Sequence, residues 1–142
     1  MRFVILSLVL LIGGCAANPY GNFLDQEGQY SIIASDVLEK LNAEYPPAHT
    51  KFSLIQEIDK KDSFGNHLIS EMRTQGYGIQ EFSEDEAPTG TTLAYTLDQV
   101  EEFYRVTLYI NGERLSRPYL IESGSVTPGG SWSLSLMEVS DE

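Results

Sequence analysis

The sequence has a single cysteine, Cys15, and only two histidines, His49 and His67. One cysteine excludes a disulfide within the chain, and neither histidine stands at ligand spacing from the cysteine or from the other histidine. We therefore predict no metal site and interpret both histidines as structural or solvent-exposed. The chain also lacks a phosphate-binding glycine loop and a Gly-x-Ser-x-Gly motif, so we predict no enzymatic activity, no small-molecule substrate and no cofactor.

Basic residues are also scarce. Nine Lys and Arg stand against 21 Asp and Glu, which gives a formal net charge of −12. An acidic domain is repelled by phosphate backbones, so we predict that it binds no nucleic acid. The acidity either confers solubility or favours neutral and basic protein partners. The acidic clusters at 84–86 and 101–102 lack the glycine-centred spacing of a calcium loop, and we interpret them as solvated loops.

A long apolar run is missing everywhere except near the start of the chain. Residues 3–12 follow Arg2 and are interrupted by one serine; this run is typical of a secretory signal peptide and too short to span a bilayer as a mature helix. Gly13-Gly14-Cys15 then resembles the lipobox of bacterial lipoproteins. We predict that residues 1–14 are a cleaved signal peptide and that Cys15 carries a covalent lipid. The alternative is a plain signal peptide followed by a free cysteine.

The residues after the cysteine predict a location and a linker. Ala16, not Asp, follows the cysteine, and by resemblance to enterobacterial sorting this predicts a lipid anchor at the periplasmic face of the outer membrane. Residues 15–29 have turn chemistry, and we interpret them as a lipidated linker. Tyr20, Phe23 and Leu24 are more apolar than a spacer requires, so a second interpretation is that they bind a partner.

The patterns in residues 30–142 predict one periplasmic α+β domain. Apolar spacings of three and four predict a helix over Tyr30–Tyr45, ended by Pro46-Pro47, and a second helix capped by Asp62 or Ser63 and ended by Gly76. Alternating apolar residues predict strands at 49–58, 77–82, 92–97, 103–110, 113–121 and 131–136, with Asn111-Gly112 as a hairpin turn. Two helices followed by a meander imply helices packed on one face of a mainly antiparallel sheet.

The meander contains further positions of note. Pro118 predicts an edge or a bulge within its strand, and Pro128-Gly129-Gly130 predicts another turn. Arg105 and Arg117 either pair with nearby carboxylates and fix the sheet register or contact a partner. In the last strand, serines alternate with the apolar residues Trp132, Leu134 and Leu136.

A series of short motifs runs along most of the chain after Cys15. They are Asn18-Pro-Tyr-Gly-Asn-Phe23, Tyr45-Pro-Pro-Ala-His-Thr50, Asp62-Ser-Phe-Gly65 with Leu68, Arg73 and Gly76-Tyr77, then Tyr95-Thr-Leu-Asp98, Tyr104-Arg-Val-Thr-Leu108 and Leu115-Ser-Arg117 with Tyr119. Each motif alone is a cap, a turn or a strand. In this order and spacing they resemble the TrbH family, lipoprotein components of plasmid conjugation systems.

The resemblance implies a structural or assembly subunit of a mating-pair-formation (type IV secretion) apparatus. Such a subunit is anchored in the outer membrane and contacts other conjugation-channel subunits, and the family offers no catalytic residues to carry over. An exposed strand edge near Pro118, or the segment Tyr20–Leu24, would dock by adding a strand to a partner sheet. The competing interpretation is a periplasmic lipoprotein that regulates an envelope enzyme such as a peptidoglycan synthase, or a surface-exclusion protein.

Overall fold

A computed structural model of the protein describes residues 18–24 and 30–138, which form two α-helices and an eight-stranded, mainly antiparallel sheet. The predicted signal peptide (1–14), the predicted lipidation site Cys15, residues 16–17 and 25–29 of the predicted linker, and residues 139–142 of the predicted domain lie outside the described residues. The elements are β1 (Gly21–Asn22), α1 (Tyr30–Glu44), a 3-10 helix (Pro47–His49), β2 (Lys51–Leu54), α2 (Ser63–Thr74), β3 (Gly78–Gln80), β4 (Thr91–Val100), β5 (Phe103–Ile110), β6 (Glu113–Glu122), β7 (Ser125–Pro128) and β8 (Ser133–Leu136).

The strands lie in the order β3-β2-β4-β5-β6-β7, with β1 also beside β4 and β8 also beside β6. The first three strands are parallel to their neighbours, because α1 and α2 return the chain to the same end of the sheet between them. Strands β4 to β8 pair in antiparallel fashion through short connections. The predicted α+β class is confirmed.

The hydrophobic core lies between the two helices and one face of the sheet. The buried side chains of α1 recur at the predicted helical spacing, and those of α2 do the same. On the sheet, the core side chains alternate with residues of the opposite face. The core includes Ile33, Val37 and Leu41 of α1, Phe64, Leu68 and Met72 of α2, and Leu93, Tyr95, Leu97, Val106, Leu108, Ile110, Leu115 and Tyr119 of the sheet.

Both helices end where the sequence predicts. The first ends just before Pro46-Pro47, because a proline has no N–H to donate within the helix. The second begins after Asp62, whose side chain accepts from the Gly65 N–H, and it ends before Gly76, which has a φ of +99°. This backbone conformation costs a glycine little and strains other residues.

The Asn111-Gly112 turn is confirmed, with φ values of +47° and +83° that fit a type I′ hairpin between β5 and β6. A second turn of this kind, Ser123-Gly124, joins β6 to β7 and was not predicted. Strands β2 and β3 are shorter than the predicted 49–58 and 77–82.

Pro118 lies opposite a bulge, one of its two predicted settings. Strands β7 and β8 pair with the same side of β6, and residues 129–132 between them stand opposite only Arg117 and Pro118. Pro118 has no N–H to donate to a neighbouring strand. Because the bulge interrupts the regular pairing here, the absent N–H does not leave a gap in the hydrogen bonds of the sheet. Where the sequence predicts a turn at Pro128-Gly129-Gly130, the structure has a bend at Gly130, and the chain keeps its direction along β6. The outer edge near Pro118 belongs to β7 and β8.

Candidate functional site

The N-terminal segment, residues 18–24, lies against the sheet although it precedes both helices. Strand β1 runs parallel to β4 opposite Thr96 and Leu97, and the Phe23 N–H donates to the Leu97 carbonyl over 2.8 Å. Residues 18–24 fall within the predicted linker 15–29, but they are part of the folded domain.

The three residues proposed for partner binding lie in different surroundings. Leu24 packs against the hydrophobic core. The Tyr20 ring meets the Tyr109 ring edge-on, with 4.9 Å between centroids, on the face of the sheet opposite the helices. Phe23 has 55% of its surface exposed. Of the three, Phe23 therefore presents the most side chain to a partner.

A glutamine side chain fills the gap between β2 and β1 along the edge of β4. After the Ile55 N–H donates to the Leu93 carbonyl, the Gln56 Oε1 accepts from the Tyr95 N–H over 2.6 Å. The side-chain amide thus replaces one peptide group of a strand. Gln56 is 2% exposed, and its Nε2 has no hydrogen-bond partner among the described residues. Because the Gln56 side chain occupies this position beside β4, the backbone pairing of β2 with β4 ends at Leu54.

A buried carboxylate fastens the N-terminal segment to the core. The Asp62 Oδ1 accepts from the Gly65 N–H at 2.9 Å and from the Asn22 Nδ2 at 3.2 Å, while its Oδ2 accepts a short hydrogen bond from the Tyr95 hydroxyl. The Asn22 Oδ1 in turn accepts from the Leu24 N–H at 3.0 Å. We call Asp62, Asn22, Gly65 and Tyr95 the Asp62 cluster; it joins α2, β4 and the N-terminal segment.

The surroundings of the Asp62 cluster keep the tyrosine protonated and allow only glycine at position 65. Burial, followed by the hydrogen bond to Asp62, raises the pKa of Tyr95 far above its usual value. A Cβ at Gly65 would lie 1.8 Å from the Tyr95 hydroxyl oxygen and 2.7 Å from the Asp62 Oδ2. A larger residue would therefore displace the hydroxyl from the carboxylate.

A second cluster joins α1 to β6. The Arg117 Nη1 donates to both carboxylate oxygens of Asp36, at 2.8 and 2.9 Å, and the Tyr119 hydroxyl donates to the Asp36 Oδ2 at 2.5 Å. The Arg117 Nε donates to the Gly130 carbonyl in the bulge, and its guanidinium lies 5.8 Å from the centre of the Trp132 ring. We call Asp36, Arg117, Tyr119 and Trp132 the Asp36 cluster.

Electrostatics also favour the protonated phenol in the Asp36 cluster. Burial is the main cause that raises the pKa of Tyr119, and the hydrogen bond to Asp36 adds to it, while the nearby Arg117 charge opposes the shift. In both clusters, the polar side chains therefore form hydrogen bonds with other groups of the protein. Their arrangement connects helices, sheet and N-terminal segment.

The remaining candidates from the sequence lie at the surface. Both His49 and His67 are exposed, as is the acidic loop at 84–86. Arg105 pairs with Asp98, its direct neighbour on β4, which confirms the register interpretation for this arginine. Among residues 18–24 and 30–138, no group of His, Cys, Asp or Glu is arranged to hold a metal ion. None of the helices described is long and apolar enough to cross a membrane.

Sequence patterns had indicated only part of these two clusters. Asp62 was a candidate cap and Arg117 a candidate ion-pair residue, and both roles are confirmed. The partners Asn22, Tyr95 and Asp36 were not predicted, since the pairs join positions 33 to 83 residues apart. For the Asp36 cluster, the sequence contains one signal: Asp36 is a charged residue next to Val37, beside the apolar stripe of α1.

Together, these features define a small α+β domain in which buried polar side chains connect the secondary structure elements. A protein-family model described as "Conjugal transfer protein TrbH" matches residues 17–137. The chain therefore belongs to the TrbH family of conjugal transfer proteins, as the motifs suggested. No curated protein and no solved structure matches it.

Proposed function

We propose that this protein is a lipid-anchored structural subunit of a conjugative type IV secretion apparatus, at the periplasmic face of the outer membrane. The observation that carries the proposal is the TrbH match over residues 17–137, which begins two residues after Cys15. Membership of a conjugal transfer family suggests interaction with other transfer components. The lipid on Cys15 is the anchor, and we infer that no other cofactor takes part.

The fastened N-terminal segment limits how far the domain stands from the membrane. Six residues lead from Cys15 to Gly21, where pairing with β4 begins. An extended chain spans at most about 3.5 Å per residue, so the lipidated cysteine lies within about 20 Å of the sheet. A subunit held this close to the membrane suits the assembly of channel parts at the membrane surface.

Phe23 is the residue of the N-terminal segment that we assign to partner contact. Its neighbours are used by the domain itself, since Leu24 packs on the core and Asn22 bonds to Asp62. The Phe23 ring is exposed on a segment held by hydrogen bonds of Phe23 and Leu24, so it is available to a partner in a fixed position. The proposed partner is another subunit of the conjugation channel.

The anchor is tested by growing cells with radiolabelled palmitate. We expect label on the wild-type protein and on the matched control Ala16→Ser, and none on Cys15→Ser. The labelled proteins should sediment with outer membranes in a density gradient, and Cys15→Ser should be missing from the outer membranes. Label on Cys15→Ser, or a soluble wild-type protein, would contradict lipid anchoring.

The role in assembly is tested by purifying the full-length tagged protein from envelope membranes and identifying copurified proteins by mass spectrometry. We expect channel subunits with the wild type, about tenfold less with Phe23→Ser, and unchanged amounts with the control Ile32→Ser. Ile32 is also an exposed apolar residue, at 42%, but it lies on α1. Equal recovery with both variants removes Phe23 from the interface. Recovery of peptidoglycan synthases instead of channel subunits would favour the regulator interpretation.

A further inference from the structure

The outer edge formed by β7 and β8 is free of charge in an acidic protein. Residues 123–137 include no Asp, Glu, Lys or Arg, although the whole chain has a formal net charge of −12. Edge strands normally carry charged residues that prevent pairing with other sheets. This edge has no such protection along β8, whose sequence is Ser-Leu-Ser-Leu.

Backbone groups as well as side chains are available on β8. The Met137 N–H donates to the Gly112 carbonyl, so the backbone of residues 133, 135 and 137 faces β6, and that of Leu134 and Leu136 faces outward. The side chains of these two leucines are 62% and 71% exposed. They continue the core face of the sheet, since Leu134 is opposite the buried Leu115.

The opposite edge of the sheet, formed by β3, differs in its length and in the charges beside it. Strand β3 has three residues and begins with Gly78. The acidic loop at 84–86 follows close behind it, and the Gln80 Nε2 donates to the Ala87 carbonyl of this loop. A short strand with negative charges beside it repels a second acidic sheet. Of these two edges of the described sheet, the one formed by β7 and β8 therefore favours pairing between copies.

We propose that β8 pairs with β8 of a second copy of this chain in antiparallel orientation, about a two-fold axis at Ser135. In this register Leu134 is opposite Leu136 of the second copy, and Ser135 is opposite itself. The outward backbone groups of the two leucines then face each other, which permits four hydrogen bonds. Four leucines meet on the core side, so the alternation of Ser and Leu is complementary to itself.

Charges near the edge fit the same register. Glu138 follows the end of β8 that meets the bulge of the second copy, where the Arg117 guanidinium lies 5.8 Å from the centre of the Trp132 ring. The glutamate of each copy therefore approaches the arginine of the other. The stretch 123–137 itself carries no charge, and the charged group next to the axis is Arg114, one strand back on β6, whose Nε donates to the Ser135 Oγ at 3.2 Å.

The arrangement is compatible with one membrane, a step that rests on the proposed lipid anchor. A two-fold axis perpendicular to the sheet leaves the same face of both copies on the same side. Tyr20 packs on Tyr109, on the face opposite the helices, so both N-terminal segments leave from this face. Both anchors thus reach one bilayer.

The contact is small, because a stable interface buries about 800 Å² per partner and one four-residue strand supplies less. Anchoring in one membrane raises the effective concentration of the second copy and compensates for this. The pair should therefore be looked for in membranes.

The test is disulfide crosslinking of the full-length protein in isolated outer membranes treated with a mild oxidant. In the proposed register two cysteines at position 135 face each other directly, at a separation that a disulfide can bridge. We expect Ser135→Cys to form at least tenfold more dimer than Ser35→Cys, an exposed position on α1. Ser133→Cys, which is opposite Met137 of the second copy, should stay near the level of Ser35→Cys.

A second variant separates pairing from chance collision. Adding Leu134→Glu to Ser135→Cys places like charges beside the axis and should return the dimer to background, with an unchanged circular dichroism spectrum because Leu134 is exposed. No excess of dimer for Ser135→Cys over Ser35→Cys overturns the proposal. Dimer formed by the wild type reports a free Cys15 thiol and thus a failure of the lipid anchor alone; the excess over wild type still measures pairing.

Discussion

Each helix is joined to the sheet by an aspartate that accepts a hydrogen bond from a buried tyrosine, but the two aspartates differ in their other partners. Asp62 is 8% exposed and accepts from a backbone N–H and an asparagine amide as well as from Tyr95. Asp36 is more exposed, at 17% of its side chain, and pairs with the Arg117 guanidinium. One cluster is buried and made of neutral donors, and the other is an ion pair near the surface.

The difference indicates where the stability of the fold depends on one residue. In both clusters a buried tyrosine hydroxyl without its acceptor costs about 1–3 kcal/mol, but of the two aspartates only Asp62 is also the cap of a helix, worth about 1 kcal/mol. The Asp62 cluster also holds the N-terminal segment through Asn22, so its loss affects both the fold and the position of this segment. The Asp36 cluster joins α1 to β6 and the bulge and does not touch the N-terminal segment.

The largest expected effect is that of Asp62→Ala. It removes the cap of α2, worth about 1 kcal/mol, and leaves the Tyr95 hydroxyl without an acceptor, which together lower the free energy of unfolding by about 3 kcal/mol. Urea denaturation followed by circular dichroism measures this. Tyr95→Phe in the Asp62→Ala background should restore about 1 kcal/mol, since the buried hydroxyl is gone. Strictly additive effects of the two substitutions would show that this hydrogen bond contributes nothing.

Alkaline pH should weaken both clusters together. The pKa of Tyr95 and that of Tyr119 are raised in the folded protein, chiefly by burial, whereas the pKa of a tyrosine in the unfolded chain is about 10. Because the folded pKa lies above the unfolded one, this stabilisation is complete below about pH 10 and is lost as the pH rises further. The free energy of unfolding should fall by up to about 1.4 kcal/mol per pH unit for each tyrosine.

The check is a series of urea titrations between pH 8 and pH 11. The double variant Tyr95→Phe with Tyr119→Phe should lose stability less steeply above pH 10 than the wild type. Parallel curves for the two proteins would mean that the two phenols ionise as readily in the folded state as in the unfolded chain.

A smaller effect is expected for Asp36→Ala, about 1–2 kcal/mol. The substitution leaves the Tyr119 hydroxyl without its acceptor, but Arg117 is partly exposed and can be solvated. Asp36→Asn keeps an acceptor for the hydroxyl and should lose about half as much. Urea midpoints decide the ranking, and a loss for Asp36→Ala as large as that for Asp62→Ala would remove the distinction between the two clusters.

The smallest effect is expected for Asp98→Ala. Its ion pair with Arg105 joins β4 to β5 at the surface, and no buried tyrosine depends on it. We expect a loss of about 0.5 kcal/mol or less, which should vanish in 1 M salt. Thermal unfolding at low and high salt measures it, with Glu102→Ala, an exposed acidic residue in the following turn, as the control.

Local patterns predicted the fold well, because its elements depend on nearby residues. The proline pair, the Asp62 cap, Gly76 and Asn111-Gly112 each act within one turn of the chain. The Asp36 pairing could not be predicted in this way, since Asp36 and Tyr119 are 83 residues apart. Only the folded chain brings such groups together.

Alternation also failed to predict burial in the last strand. Leu134 and Leu136 follow the pattern of a strand with a core face, yet both are exposed, because β8 extends the sheet beyond the helices. A pattern of period two identifies a face but does not show whether anything covers it. The same limit applied to Gln56, whose side chain replaced a peptide group in a way that residue spacing does not indicate.

The parallel pairing of β1 with β4 decides how mechanical force enters the domain. A pull on the N-terminal segment is transmitted first to the bonds at Thr96 and Leu97, near the middle of the sheet, and not to the first turn of α1. The neighbouring strands β4, β5 and β6 share that load through their long registers. Tension on the N-terminal segment therefore loads the sheet before it reaches α1.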